Sequence, residues 1–109
     1  MTLDKNGYTE SIIPDHSPTQ CWLCDCNGRG KMDRHEVFGG AYRDKSKRFG
    51  LWVHLCHQDC HLDRIHGGDR HSIDLLKWEA QRCAMKKYGW TVEQFIEEFG
   101  KNYMEETNA

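Results

Sequence analysis

Two cysteine pairs and three histidines carry most of the chemistry open to this chain. Cys21 and Cys24 are separated by two residues in CWLC, and Cys56 and Cys60 by three in CHQDC, about thirty residues later. Tetrahedral zinc takes four soft or borderline ligands at about 2.3 Å for sulfur, and two short-spaced pairs on two turns supply them without contorting the chain. Because the second spacing differs from the first, Cys26 and His57 stand as alternative ligands. The ordinary alternative is reduced core thiols, since free cysteine is among the most buried residue types. CWLCDCNGRG is a polar, glycine-bearing turn and would make a poor core segment, whereas Cys83, on an apolar helical stripe, reads as plain core.

Four cysteines close a structural site, which leaves His35, His61 and His66 over. Divalent ions that work on phosphates accept imidazole and carboxylate together with water, and a hydrolytic site keeps positions open for substrate. MDRHEVFGG offers Asp33, His35 and Glu36, while His61 and His66 follow the second cysteine pair, where a metal clamp would fix their backbone. The ordinary alternative is that these histidines buttress the clamp. His54 reads as a surface or cross-strand residue of the second strand, and His16 and His71 lie in polar segments.

The elements that must position these groups follow from pattern. Residues 1–20, polar with Pro14 and Pro18, read as a flexible or draped N-terminal arm, and residues 21–109 as one domain. CWLCDCNGRG reads as a knuckle turn in which Asn-Gly and a second Gly permit positive φ. Lys31 to Phe38 is a first short strand, AYRDKSKRFG a basic loop, and GLWVHLC a second, more apolar strand. Ser72 can cap a helix from about Ile73 to Tyr88, with Ile73, Leu76, Ala80, Cys83 and Ala84 on one stripe and Gly89 after its end. Thr91 and Gln94 make a capping box for a last helix whose Val92, Phe95, Ile96, Phe99 and Tyr103 keep helical spacing. Both stripes are core packing and carry no chemistry.

Bulk properties set the bounds. With 109 residues the chain is expected to be a single α+β domain with a small core. There is no apolar run of membrane-spanning length and no secretory pattern in MTLDKNGYTE, so the expected location is the cytoplasm, and a metal protein is favoured over a disulfide knot. The net charge is −2, but it is polarised: seven Lys or Arg against three acids from Arg29 to Arg48, and five Glu against one Lys from Trp90 onward. Two ordinary solvated faces would produce the same distribution.

The order CWLC, RHEVFGG, GLWVHLC, CH and a following His resembles the HNH endonucleases of the ββα-metal (His-Me finger) class. It is most similar to small phage-borne members with a four-cysteine zinc knuckle, near the RecA-dependent nucleases of phage recombination systems. The resemblance covers roughly Cys21 to Tyr103, since EQFIEEFGKNY is similar too. It implies a zinc-stabilised β-hairpin and helix around one catalytic Mg2+ or Mn2+, cutting DNA phosphodiester bonds, in a bacterial host cytoplasm if phage encoded.

By position His35 matches the strand-end histidine that takes a proton from the attacking water. His61 matches the histidine after the second zinc cysteine, and His66 the distal helix histidine, although the usual gap is four residues and here it is five. Either His35 is the base and Asp33 or Glu36 binds metal, or His35 is the ligand and Glu36 takes the proton; a neutral imidazole favours the first. The middle asparagine of the HNH name is absent, with Gly50 or Leu51 in its place. Arg34, Arg43, Lys45, Lys47 and Arg48 are the expected phosphate contacts, which position a duplex without reading its sequence. A homodimer is expected if both strands are cut, and a recombinase filament is the partner that the resemblance adds. The rival readings are a noncatalytic zinc module binding DNA or a recombination protein, and a regulator of host proteins acting through its acidic last helix.

Overall fold

The computed structural model describes residues 3–27 and 31–104. A two-stranded antiparallel sheet pairs β1 (Met32–Glu36) with β2 (Trp52–Cys56), with Asp33 opposite Leu55 and His35 opposite Val53. Between the strands lie a single 3-10 turn, Gly40–Tyr42, and helix α1 (Arg43–Phe49). A π-helix, His57–His66, leaves the end of β2, and α2 (Arg70–Tyr88) and α3 (Val92–Phe99) complete a mixed α+β chain.

β2 lacks the alternation of a half-exposed strand because both its faces are covered. Val53 and Leu55 are fully buried towards the helices, and Trp52 on the other face is buried under the N-terminal arm. The arm is held by backbone-directed bonds: Trp52 Nε1 donates to the Thr9 carbonyl (2.9 Å), Ser11 Oγ to the Trp52 carbonyl (2.6 Å), and Ile12 N to the Gly50 carbonyl (2.9 Å). Ile13 is buried with the core. Of the two arms expected, flexible or draped, residues 3–20 form the draped one. Burying a side chain such as Val53 or Leu55 contributes about 1.5–3 kcal/mol.

The basic segment expected as a loop is helix α1. Its middle is pinned by Ser46, fully buried, whose hydroxyl donates to the Phe38 carbonyl (2.8 Å) and accepts from the Phe38 N–H (3.0 Å). Asp44 in the first turn and Lys47 and Arg48 in the last suit the helix dipole. Gly50 closes it at φ 77°, and a Cβ there would lie 2.5 Å from the Glu10 carbonyl oxygen of the arm. Charge spacing alone masked this helix, because a seven-residue element depends on tertiary anchors.

The core joins Phe38 from the β1 exit to Phe95 and Phe99 of α3, with ring centroids 5.6 and 4.7 Å away. Leu51, Leu55, Leu76 and Ala80 fill the remainder. The capping box of α3 forms as expected: Gln94 N donates to Thr91 Oγ1 (3.1 Å) and Thr91 N to Gln94 Oε1 (2.8 Å). α2 starts three residues earlier than Ser72 predicts. Asp69 is its N-cap, and the buried Ser72 donates its hydroxyl to Asp69 Oδ2 (2.8 Å). Tyr103 lies beyond the end of α3 and still packs on Phe38, because the buried Gln81 side chain holds the tail. Its amide donates to Asn102 Oδ1 (2.8 Å) and its carbonyl accepts from Tyr103 N (2.7 Å).

Candidate metal centre and histidine cluster

The knuckle forms at Cys21–Asp25. Cys24 N–H points at Cys21 Sγ (3.5 Å), Asp25 N donates to the Cys21 carbonyl (2.8 Å), and the positive φ falls on Asp25 (64°). Gly28 and Gly30, on which the sequence placed that freedom, lie outside the described residues. Trp22 N donates to the His54 carbonyl (3.0 Å), which ties the knuckle to β2 beside Cys56.

The Sγ atoms of Cys21, Cys24, Cys56 and Cys60 all lie within 4.8 Å of one another. Cys24 and Cys56 are 3.8 Å apart, the edge of a tetrahedron with bonds of about 2.3 Å. These four cysteines could hold a metal ion, with three of them buried and Cys24 at the surface. Burial pushes the Cys24 thiol up to about 12, and Cys56 and Cys60 also upward. Cys21 goes the other way, its burial outweighed by backbone N–H groups that hold it below its ordinary value; for the other three a thiolate is costly with protein groups alone, and a divalent cation is the natural source of compensating charge. Cys26 lies beside the cluster, its carbonyl accepting from Cys21 N (2.8 Å), but outside the set of four.

The sequence gap of five between His61 and His66 has a structural reason. In the π-helix, i→i+5 bonding widens the turn to a little over four residues, so positions separated by four and then five residues stack on one face. His57, His61 and His66 have that spacing. Asp69 N donates to the Arg64 carbonyl (2.8 Å), which continues the wide pattern, and a Cβ at Gly67 would collide with the Asp63 carbonyl.

Alternation along β1 puts Asp33 and His35 on one face. His61 Nδ1 is 2.8 Å from Asp33 Oδ2, and His57 Nδ1 is 2.7 Å from the same oxygen. His61 Nε2 faces His66 Nε2 at 3.3 Å, and the His35 ring meets the His61 ring edge-on at 5.4 Å. Two imidazole nitrogens sharing a divalent ion at about 2.0–2.1 Å stand roughly 2.9–3.4 Å apart for right-angle to tetrahedral geometry. The His61–His66 pair fits that separation. Among the described residues the thiols are the one group with three or more ligand atoms within 4.8 Å of one another, so the histidines provide a pair with His35 alongside.

Burial, followed by the charges that His61, His66 and Lys77 can carry, pushes His35 down to about 4, leaving a neutral imidazole at neutral pH. Burial works against the Asp33 carboxylate, but the two imidazole N–H groups hold it below the usual range. Among the described residues no hydrogen bond reaches the His35 ring. Gly50 and Leu51, where the asparagine would lie, are a helix cap and a fully buried core residue.

Glu36 is separated from this cluster. It alternates to the opposite face of β1, where Oε2 accepts from the Tyr8 hydroxyl and Oε1 pairs with Arg43 Nε (3.3 Å). The expected phosphate contacts also have internal partners. Arg34 pairs with Asp4 (2.9 Å) and lies over Tyr8, Lys45 pairs with Glu98 (3.1 Å), Lys47 donates to the Asn6 carbonyl (3.3 Å), and Arg48 lies against Phe49. A basic residue beside His35 is one that the sequence did not single out. Lys77 of α2 lines a small pocket together with His35, Val37, Gly39, Ile65, Ile73 and Leu76, and Glu36 borders it too, although its carboxylate is engaged by Tyr8 and Arg43. Its position next to Leu76 on the apolar stripe was the available signal, since a lysine there keeps its stem against the core.

No protein-family model, curated protein or solved structure matches this chain.

Proposed function

We propose that this protein is a metal-dependent DNA endonuclease of the HNH type, with a structural zinc at Cys21, Cys24, Cys56 and Cys60 and a second divalent ion, Mg2+ or Mn2+, at His61 and His66. The observation that carries the reading is the His61–His66 pair, 3.3 Å apart at Nε2, set beside His35 at the mouth of a hairpin whose next element is a helix. This order of two strands and a helix supports a ββα-metal fold. The thiol cluster fixes the turn from which both histidines project.

In this reading His35 accepts a proton from the attacking water at an unprotonated ring nitrogen. Glu36 is poorly placed for the task, since both its oxygens are engaged on the other face of the sheet. Lys77 meets the scissile phosphate in the pocket it shares with His35, and His61 and His66 would hold the ion beside it. The ion, when bound, supplies Lewis-acid stabilisation of the charge on the phosphate and on the leaving oxygen. DNA brings phosphate charge that raises the His35 imidazole towards the working pH. A role in phage recombination, a homodimer and a recombinase partner belong to the resemblance.

A noncatalytic zinc module binding DNA or a recombination protein is the second reading, favoured by the absence of any described hydrogen bond that would orient His35. Plasmid incubated with the protein in Mg2+ or Mn2+, beside a His35→Ala variant, separates the two. Nicking that drops about 100- to 10,000-fold in the variant is the expected result. Equal nicking by both proteins sinks the assignment, and DNA shifted in a gel without any cutting supports the second reading.

A further inference from the structure

We infer that Asp33 is a positioning residue rather than a metal ligand: its Oδ2, braced by His57, holds His61 in the tautomer that presents an unprotonated Nε2 to His66. The inference deepens the nuclease reading by assigning the ligand set of its second site. One carboxylate oxygen accepts from two imidazoles, at 2.7 Å from His57 Nδ1 and 2.8 Å from His61 Nδ1. A carboxylate can only accept when ionised, so each Nδ1 carries its proton, and the lone pair of each neutral ring sits at Nε2. In His61 that lone pair points to the 3.3 Å gap facing His66.

The job of His57 follows from its place in the chain. It directly follows the thiol Cys56, and its backbone N–H donates to the Lys31 carbonyl at the start of β1 (3.1 Å). Its ring therefore reaches Asp33 from a backbone fixed by the thiol cluster, and braces the carboxylate against rotation away from His61. A histidine that binds a metal commonly donates its other N–H to a carboxylate, which sets ring orientation and basicity, and loss of such a partner costs about 10- to 100-fold in metal affinity. The sequence alone would place Asp33 among the ligands, because carboxylate and imidazole are both accepted by divalent ions.

The test uses the whole zinc-loaded protein and does not depend on cleavage. Nitrogen-15 NMR of the wild-type protein at pH 8 reads the His61 tautomer directly. We expect protonated Nδ1 and bare Nε2; protonated Nε2 in the wild type overturns the inference whatever the protein does to DNA. In Asp33→Ala the tautomer balance shifts to Nε2–H, and Mn2+ affinity at the histidine site falls about 10- to 100-fold while zinc content stays the same. Asp33→Asn, whose carbonyl still accepts, loses less than Asp33→Ala, and His57→Ala falls between wild type and Asp33→Ala. Unchanged Mn2+ affinity and tautomer in Asp33→Ala overturn the positioning role, as does an Asp33→Asn variant as weak as Asp33→Ala. Failure of Mn2+ to bind the wild-type protein overturns the metal part and the nuclease reading together, while the tautomer result still stands or falls on its own.

Discussion

His61 and His66 face each other through Nε2 atoms 3.3 Å apart, although five residues separate them along the chain. In an α-helix that spacing would rotate one ring well off the face of the other, and the wide turn of the π-helix restores the alignment. His66→Ala is therefore expected to lose nicking activity and Mn2+ binding while keeping one tightly held zinc per chain. Metal analysis beside the plasmid assay checks it, and loss of zinc in this variant would mean that the ligand partition is wrong.

A metal held by the thiol cluster would be coupled to folding. Cys56 precedes the π-helix, Cys60 lies in its first turn and Cys21 and Cys24 lie on the knuckle, so one ion bound there would crosslink the two ends of the hairpin unit. Cys60→Ser or a strong chelator should release zinc and lower the melting temperature by more than 10 °C, since structural zinc binding is itself folding free energy. A melting curve insensitive to chelator would argue for plain thiols.

Lys77 shares a pocket with His35, whereas Arg48 lies against Phe49 at the far end of α1. Lys77→Ala should reduce nicking at least tenfold, and Arg48→Ala should change it little. Comparable effects of both would return the phosphate contact to the basic segment that the sequence first suggests.

Gly50→Ala tests the junction between α1 and the arm. The added Cβ meets the Glu10 carbonyl at 2.5 Å in a backbone held at φ 77°, so neither the side chain nor the backbone can yield cheaply. The left-handed backbone alone costs about 1–2 kcal/mol, and for a domain of this size each kcal/mol lowers the melting point by about 4–8 °C. Stability equal to wild type would mean that the arm is not fixed at Ile12.

Acid should loosen the arm. His16 Nε2 is 2.9 Å from His54 Nδ1, and burial, then the Arg34 charge, hold the His16 pKa below its ordinary 6.5. The unfolded chain then binds a proton before the folded one does, so this contribution is complete above pH 6.5 and is lost as pH falls towards the folded value. Urea unfolding at pH 7.5 and 5.5 should show a stability loss that His16→Gln reduces. An identical loss in the variant places the acid sensitivity elsewhere.

Local rules carried far in this chain. The C-x2-C and C-x3-C spacings indicated the four thiols, because short-range geometry at a turn is set by neighbouring residues. Thr91 and Gln94 marked the α3 start for the same reason, and the apolar stripe of α2 from Leu76 to Ala84 became core. Residue order and spacing were thus enough for the four thiols that could hold a metal, the two strands and the helical patterns of α2 and α3. The partners of charged and polar groups came instead from packing in three dimensions. Ser46 reaching Phe38 turned a basic loop into α1, and strand alternation carried Glu36 to Tyr8 and Arg43, away from His35. The wide turn after Cys56, together with the Asp33 oxygen between two imidazoles, arranged His57, His61 and His66. These relationships join residues up to dozens of positions apart. They depend on which face each backbone segment presents once packed, and no local spacing encodes that.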